Sequence, residues 1–261
     1  MTTHERLDYL LNTLLSESHR YSQTTVPESI WDKRRLFRAL MNVRHPLPVS
    51  KEFLSAQNME LQAQLSEKGV VEADSLEAND RYVMWQGDIT RLKVDAIVNA
   101  ANSRMLGCFA PLHGCIDNAI HSAAGVQLRL ACNEIMKKKG TPEPTGQALV
   151  TPGFNLPSRY VIHTVGPIVR TFFPTLEDER LLASCYHSCL EAAEELRLEL
   201  IAFCCISTGE FRFPNREGAE IAIRTVDGYF REHPDSSIKK VIFNVFKDKD
   251  RQIYSELLGA H

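Results

Sequence analysis

Leu200-Ile-Ala-Phe-Cys-Cys-Ile-Ser-Thr-Gly-Glu-Phe-Arg-Phe-Pro-Asn215 passes from an unbroken apolar run to small and polar residues, and then to a helix start. An apolar run without alternation reads as a strand buried on both faces. The loop behind it sits where α/β sheets hold ligands, beyond the carboxyl end of a strand. Working outward, apolar runs recur at 82–85, 96–99, 148–151, 160–164 and 240–246. Amphipathic segments begin near Cys115, near Thr175, at Asn215 and near Asp248. This alternation predicts an α/β fold of three layers, α/β/α, from residue 81 onward.

The residues before it have a different texture. Leu7, Leu10, Leu11, Leu14 and Leu15 recur at helical spacing and predict one amphipathic helix. Pro27 and Pro46-Leu47-Pro48 interrupt the pattern, which predicts two more helices over 28–44 and 50–68. Residues 71–80 read as a packed linker. The expected division is a helical extension at 1–78 and an α/β domain at 79–261.

Composition narrows the function classes. The chain has 261 residues, 24% charged and 44% hydrophobic, which is ordinary globular composition. No apolar run approaches the ~20 residues of a membrane span, and the N-terminus lacks the apolar core of a signal peptide. A net charge of −3 gives no support to nucleic-acid binding. Seven cysteines, an odd number, read as reduced thiols or metal ligands, which points to a cytoplasmic protein.

Polar residues follow each strand. Gly87-Asp88-Ile89-Thr90 follows the first, Asn99-Ala-Ala-Asn102-Ser103 the second, and Phe246-Lys247-Asp248 the last. The segment from Ser207 to Pro214 is a phosphate-loop candidate. Small residues let backbone N–H groups approach an anion, and the helix starting at Asn215 adds its positive dipole end. A Ser-Thr-Gly turn also serves as plain strand-to-helix chemistry.

A metal motif lies between the second strand and the next helix. Leu106-Gly-Cys108-Phe-Ala-Pro-Leu-His113-Gly-Cys115 has the spacing Cys-x4-His-x-Cys. Two thiolates and an imidazole make a soft set suited to one tetrahedral Zn²⁺. Three protein ligands leave a fourth position open, as catalytic zinc requires. Asp117 or His121 could support the ligands or replace one. The remaining cysteines, Cys132, Cys185, Cys189, Cys204 and Cys205, read as structural, with the last two inside a strand. His163 reads as a hydrogen-bonded core histidine.

Four segments together resemble the macrodomain family, which binds ADP-ribose. They are Gly87-Asp88-Ile89-Thr90, Asp95-Ala-Ile-Val-Asn-Ala-Ala-Asn-Ser103, Tyr160-Val-Ile-His-Thr-Val-Gly-Pro167 and Ile206-Ser-Thr-Gly-Glu-Phe-Arg-Phe-Pro-Asn215. The Cys-His-Cys triad and the helical extension are similar to a zinc-containing bacterial subgroup of protein-ADP-ribose hydrolases. The resemblance implies a three-layer macrodomain with a mixed central sheet. It implies that Asp88 and Ile89 meet adenine, that Phe246 stacks on it, and that Ser207, Thr208, Gly209, Glu210 and Phe211 wrap the pyrophosphate. Asn102 would face the distal ribose, over Cys108, His113 and Cys115. Asn99 would tie down the loop backbone. Glu210 and Arg212 depart from the small residues common in the family, and a left-handed backbone at Arg212 would carry strain.

The expected activity is zinc-dependent removal of mono-ADP-ribose from modified protein, with an acidic side chain as the preferred attachment because a carboxylate leaves readily. Zinc would activate a water, or polarise a ribose hydroxyl or the leaving oxygen. The resemblance adds a possible context, a lipoyl-carrier protein modified by a sirtuin-type transferase. Two rivals use the same pocket: deacetylation of O-acetyl-ADP-ribose, and binding of ADP-ribose without hydrolysis, with a structural zinc.

Overall fold

The computed structural model describes residues 1–21, 23–77 and 80–259. The expected domain boundary, between 78 and 79, lies outside the described residues.

Three helices come first: α1 (Thr3–Ser16), α2 (Ile30–Val43) and α3 (Lys51–Lys68). Each begins at a hydroxyl cap, Thr2, Ser29 or Ser50, whose oxygen accepts a backbone N–H of the first turn. Their leucine and phenylalanine faces form an apolar cluster of Leu7, Leu10, Leu11, Phe37, Leu40 and Phe53, with Val126 from a later helix. Glu60 is fully buried beside this cluster, 2.8 Å from Arg6 and 2.7 Å from Arg34. The segment expected as a linker is packed. Its strand β1 (Val71–Glu72) pairs in parallel with a later strand.

The α/β part follows as β2 (Tyr82–Gln86), β3 (Leu92–Lys93), β4 (Ala96–Ala101), α4 (Ile116–Ala124), α5 (Val126–Lys139), β5 (Ala148–Pro152), β6 (Tyr160–Val165), α6 (Leu176–Glu195), β7 (Leu200–Phe203), α7 (Asn215–Glu232), β8 (Lys240–Val245) and α8 (Asp248–Gly259). Strand β3 is the partner of β1. Six strands form the main sheet in the order β2-β8-β7-β4-β6-β5. All its pairs are parallel except β5 with β6, so the sheet is mixed, as expected. Helices flank it, which makes the three layers. Ile97, Val98, Ile162, Ile201, Ala202 and Ile242 are fully buried, as the unbroken apolar runs require.

Two expectations on elements are corrected. The strand expected to reach Ile206 ends at Phe203, where its pairing with β8 stops, so Cys204 and Cys205 lie beyond it. The chain then turns at Ser207, whose φ is +64°. The helical stretch beginning near Cys115 is two helices, because Gly125 at φ +91° separates α4 from α5. Among the described residues no helix is long and apolar enough to cross a membrane.

Candidate active site

The carboxyl ends of β4, β7 and β8 carry the loops singled out in the sequence. Beyond β4, the chain turns through Met105 (φ +61°) and Gly107 (φ +79°) before reaching Cys108. A Cβ on Gly107 would lie 2.9 Å from His121 Cγ, so glycine is needed there for space as well as conformation.

The structure brings Cys108, His113 and Cys115 together. Their ligating atoms all lie within 4.8 Å of one another, and all three residues are partly exposed. Cys108 Sγ is 3.6 Å from His113 Nδ1. Zinc bonds of ~2.3 Å to sulfur and ~2.0 Å to nitrogen at tetrahedral angles place those two atoms ~3.5 Å apart. The residues therefore fit a zinc ion, with the exposed side left for a fourth ligand. Cys115 is also the N-cap of α4, and its Sγ accepts the Asn118 N–H at 3.4 Å. Burial, opposed by that N–H and reinforced by Cys108 and Asp117, pushes the Cys115 thiol up to about 12. A dication would reverse this by coordinating the thiolate.

Behind the triad lies a buried polar network. Asn99 Nδ2 donates to Asp117 Oδ1 at 2.8 Å and lies 3.1 Å from His163 Nδ1. Asn99 thus ties down α4, not the loop backbone as expected. Asn102 Nδ2 donates to Gly107 O at 3.1 Å and Asp117 Oδ2 at 3.3 Å, while its Oδ1 accepts from Arg104 N. The Asn102 side chain is therefore fixed in place. His163 is a hydrogen-bonded core histidine, with Nε2 2.9 Å from Thr151 Oγ1. Burial pushes it down to about 3, and pushes Asp117 up to about 6. His121 falls well below the usual imidazole range through burial, with His163 and Arg129 adding to it. His121, Cys132 and His163 form a second compact group. Both ring nitrogens of His163 already face Asn99 and Thr151, so this group is a core network.

The loop after β7 is shaped for an anion. Among the described residues, no hydrogen bond uses the N–H groups of Gly209, Glu210 or Phe211. The loop is pinned instead through Phe213 N to Ser207 O at 3.0 Å, Arg212 N to Gly209 O at 3.1 Å, and Val169 N to Phe211 O at 2.9 Å. Ser207 is buried, and its Oγ has no partner. A Cβ on Gly166 would sit 2.0 Å from that Oγ, which explains the glycine of the Tyr160–Pro167 segment. Arg212 adopts φ +61° and is exposed, so it carries the backbone strain its position implied. Glu210 is exposed too, but it is not idle: its Oε1 lies 3.7 Å from His113 Nε2. The phosphate-loop candidate and the metal triad therefore meet.

At the other end, Asp88 spends Oδ1 on Thr90 N at 3.0 Å and Thr90 Oγ1 at 2.6 Å. Its Oδ2 faces Lys68 at 3.5 Å and stays available as an acceptor. Ile89 is buried, so only its backbone can meet a ligand. Phe246 is 75% exposed at the end of β8, which excludes ordinary core packing. A groove of about 410 Å³ opens beside Asp88 and Thr90, walled on its far side by Trp31, Arg35 and Lys68 of α2 and α3.

Sequence reading missed Asn118, Arg129 and Asn42, which brace the metal loop. Asn118 could have been noticed as the third residue of a helix capped by a metal ligand. Asn42 and Arg129 carry no local signal, because their partners are tens of residues away.

A macro domain family model matches residues 98–222. A protein-ADP-ribose hydrolase of Staphylococcus aureus (strain MRSA252) is 50% identical over 96% of this chain and 94% of its own length. Among solved structures, the Oceanobacillus iheyensis macrodomain with MES bound is 39% identical, with a TM-score of 0.63 over 70% of this chain and 94% of that one. The Trypanosoma brucei macrodomain in complex with ADP-ribose is 28% identical, with a TM-score of 0.66 over 82% of this chain and 92% of that one. The chain belongs to the macro domain family.

Proposed function

We propose that the chain is a zinc-dependent protein-ADP-ribose hydrolase, which removes single ADP-ribose units from modified acidic side chains. Its catalytic macrodomain spans 79–261, behind a helical extension at 1–78. The observation that carries this reading is the contact between the Cys108–His113–Cys115 triad and the loop at Glu210. This contact supports a triad that lies beside the nucleotide when the loop holds a pyrophosphate. The family and the Staphylococcus aureus relative's name support the substrate class.

The chain's own residues account for binding and orientation. Phe246 stacks on adenine, worth about 1–3 kcal/mol. Asp88 Oδ2 accepts from the adenine amino group, and the backbone of Ile89 lines the base. The free N–H groups of Gly209, Glu210 and Phe211, with Ser207 and Thr208, bind pyrophosphate at the start of α7. This binding, remote from the reacting bond, fixes the distal ribose beside Asn102. The Asn102 amide is already immobilised by Gly107, Asp117 and Arg104, so it orients the ribose without further ordering cost. Cys108, His113 and Cys115 would hold a zinc ion, which would supply Lewis acidity for activating water beside the ribose. Hydrolysis breaks the bond from the anomeric carbon to the side-chain carboxylate oxygen, which leaves with the electron pair; the water oxygen becomes the anomeric hydroxyl, and its proton passes to solvent. The carboxylate is a competent leaving group without a strong acid beside it, which favours acidic attachment sites.

The test pairs metal content with turnover. Wild type and a Cys108→Ala/Cys115→Ala double variant are assayed for zinc and for ADP-ribose released from a protein modified on acidic side chains. One zinc and turnover in wild type, both lost in a folded variant that still binds ADP-ribose, is the expected result. Equal turnover by metal-free wild type would sink the zinc mechanism and leave a hydrolase working through Asn102 and the loops alone. Zinc without turnover would leave a reader of ADP-ribose.

A further inference from the structure

The N-terminal helices reach the metal loop directly. Leu112, which precedes His113, adopts φ +56°, a left-handed conformation unfavourable for a branched side chain. Its N–H donates to Asn42 Oδ1 of α2 at 2.9 Å, and Asn42 is only 1% exposed. Asn42 Nδ2 donates to Ser122 Oγ at 2.9 Å, and Ser122 Oγ donates to Asn118 O at 2.6 Å. One turn earlier on α2, Arg38 Nη2 donates to Asn118 Oδ1 at 2.9 Å and to His113 O at 3.4 Å. Asn118 in turn donates Nδ2 to Ala110 O at 3.0 Å and its N–H to Cys115 Sγ at 3.4 Å. From the other side, Arg129 bridges Met41 O of α2 at 2.8 Å and Leu106 O of the loop at 2.6 Å, with its guanidinium 4.3 Å over the Phe109 ring.

Leu106, Phe109, Ala110, Leu112, His113 and Cys115 are therefore each held by α2, or by a residue that α2 holds. We infer that Asn42 and Arg38 are positioning residues for the metal site, and that the helical extension is a structural half of that site. The inference rests on the zinc reading above. Its physical basis is that a left-handed Leu112 persists only where its surroundings over-determine it. Releasing Leu112 lets His113 swing away from the two thiolates, and the three ligands then have to be gathered at the moment of binding. Metal affinity falls as a result, even though no ligand has changed.

The experiment measures zinc affinity by competition with a chromophoric chelator, using zinc alone as probe and the full chain throughout. Asn42→Ala removes the acceptor for Leu112. Asn42→Asp keeps the oxygen that accepts from Leu112 but loses the donor to Ser122, and so separates the two ties. Arg38→Met removes the second tie while keeping a long side chain. Asn42→Ala and Arg38→Met are expected to weaken zinc binding about 10- to 100-fold. Asn42→Asp is expected to weaken zinc binding less than Asn42→Ala does, and ADP-ribose binding by the metal-free proteins is expected to stay within about two-fold. Amide exchange over 106–115 in the metal-free protein is expected to speed up in Asn42→Ala. Unchanged zinc affinity in a folded Asn42→Ala protein overturns the inference. So does equal loss in Asn42→Ala and Asn42→Asp accompanied by loss of ADP-ribose binding, which marks general damage. A wild type that takes up no zinc overturns the metal reading itself. The exchange arm then decides the clamp alone, with unchanged exchange refuting it.

Discussion

Acid should unfold this protein earlier than its surface carboxylates alone would. Burial pushes His163 down to about 3 and His121 well below the usual range, so both stay neutral in the folded state as pH falls below 6.5. In the unfolded chain each takes a proton near 6.5. The unfolded state then binds more protons, so stability falls with pH by about 1.4 kcal/mol per unit for each histidine. Between pH 6.5 and 4.5 His163 alone costs about 2–3 kcal/mol, and His121 adds to the loss in the same direction. Asp117, which lies 3.5 Å from His121, acts in the opposite sense. It is held at about 6 when folded and titrates near 4 when unfolded, so acidification from 6 to 4.5 returns about 2 kcal/mol. Arg129 remains charged throughout, and Asn99, Thr151 and Cys132 do not titrate in this range. Asp117 thus offsets much of what His163 loses, and the loss from His121 comes on top of it. The assay is urea unfolding at pH 7, 6, 5 and 4.5, with chelator present at every pH so that acid release of metal does not contribute. His163→Gln should flatten the slope by about 1.4 kcal/mol per unit. Stability that does not fall from pH 7 to 4.5, or an unchanged slope in His163→Gln, refutes the reasoning.

Three further outcomes follow from the same structure. Phe246→Ala should weaken ADP-ribose binding by about 1–3 kcal/mol in calorimetry, and its melting temperature should not move, since the ring is exposed. Cys115→Ser keeps an N-cap acceptor for Asn118 but removes a soft ligand. Zinc affinity should collapse while the metal-free protein unfolds within about 1 kcal/mol of wild type. Glu60→Ala leaves the buried Arg6 without its partner and should cost about 3–5 kcal/mol in urea unfolding. A loss under about 1 kcal/mol would show that the cluster is solvated.

The order of strands and helices was legible because strands buried on both faces leave unbroken apolar runs, as at Ile97-Val98 and Val241-Ile242. The grouping of Cys108, His113 and Cys115 was legible because the three fall within eight residues. Phe246 could be placed after the last strand, but its exposure, which separates a stacking platform from a core ring, is a tertiary fact. The break between α4 and α5 passed unnoticed, because a lone glycine inside a helical pattern is usually tolerated. Asn99 was given the wrong partner for a related reason. Its side chain crosses to a helix eighteen residues on, and no local pattern encodes that distance. The His113–Glu210 contact joins loops almost a hundred residues apart, so only the folded sheet could reveal it.

The apolar cluster of the first three helices is closed by Val126, whose N–H is also taken by Gln57 Oε1 at 2.9 Å. This has a consequence for the chain as it is synthesised. The three helices leave the ribosome before the main sheet does, yet the surface formed by their leucines and phenylalanines lacks its last wall until residue 126 has emerged. Through the making of β2, β4 and α4, the nascent chain carries that surface partly open, in the state where chaperones and proteases act. A product that stops short of residue 126 therefore holds an unfinished core, and quality control has a physical mark by which to recognise it.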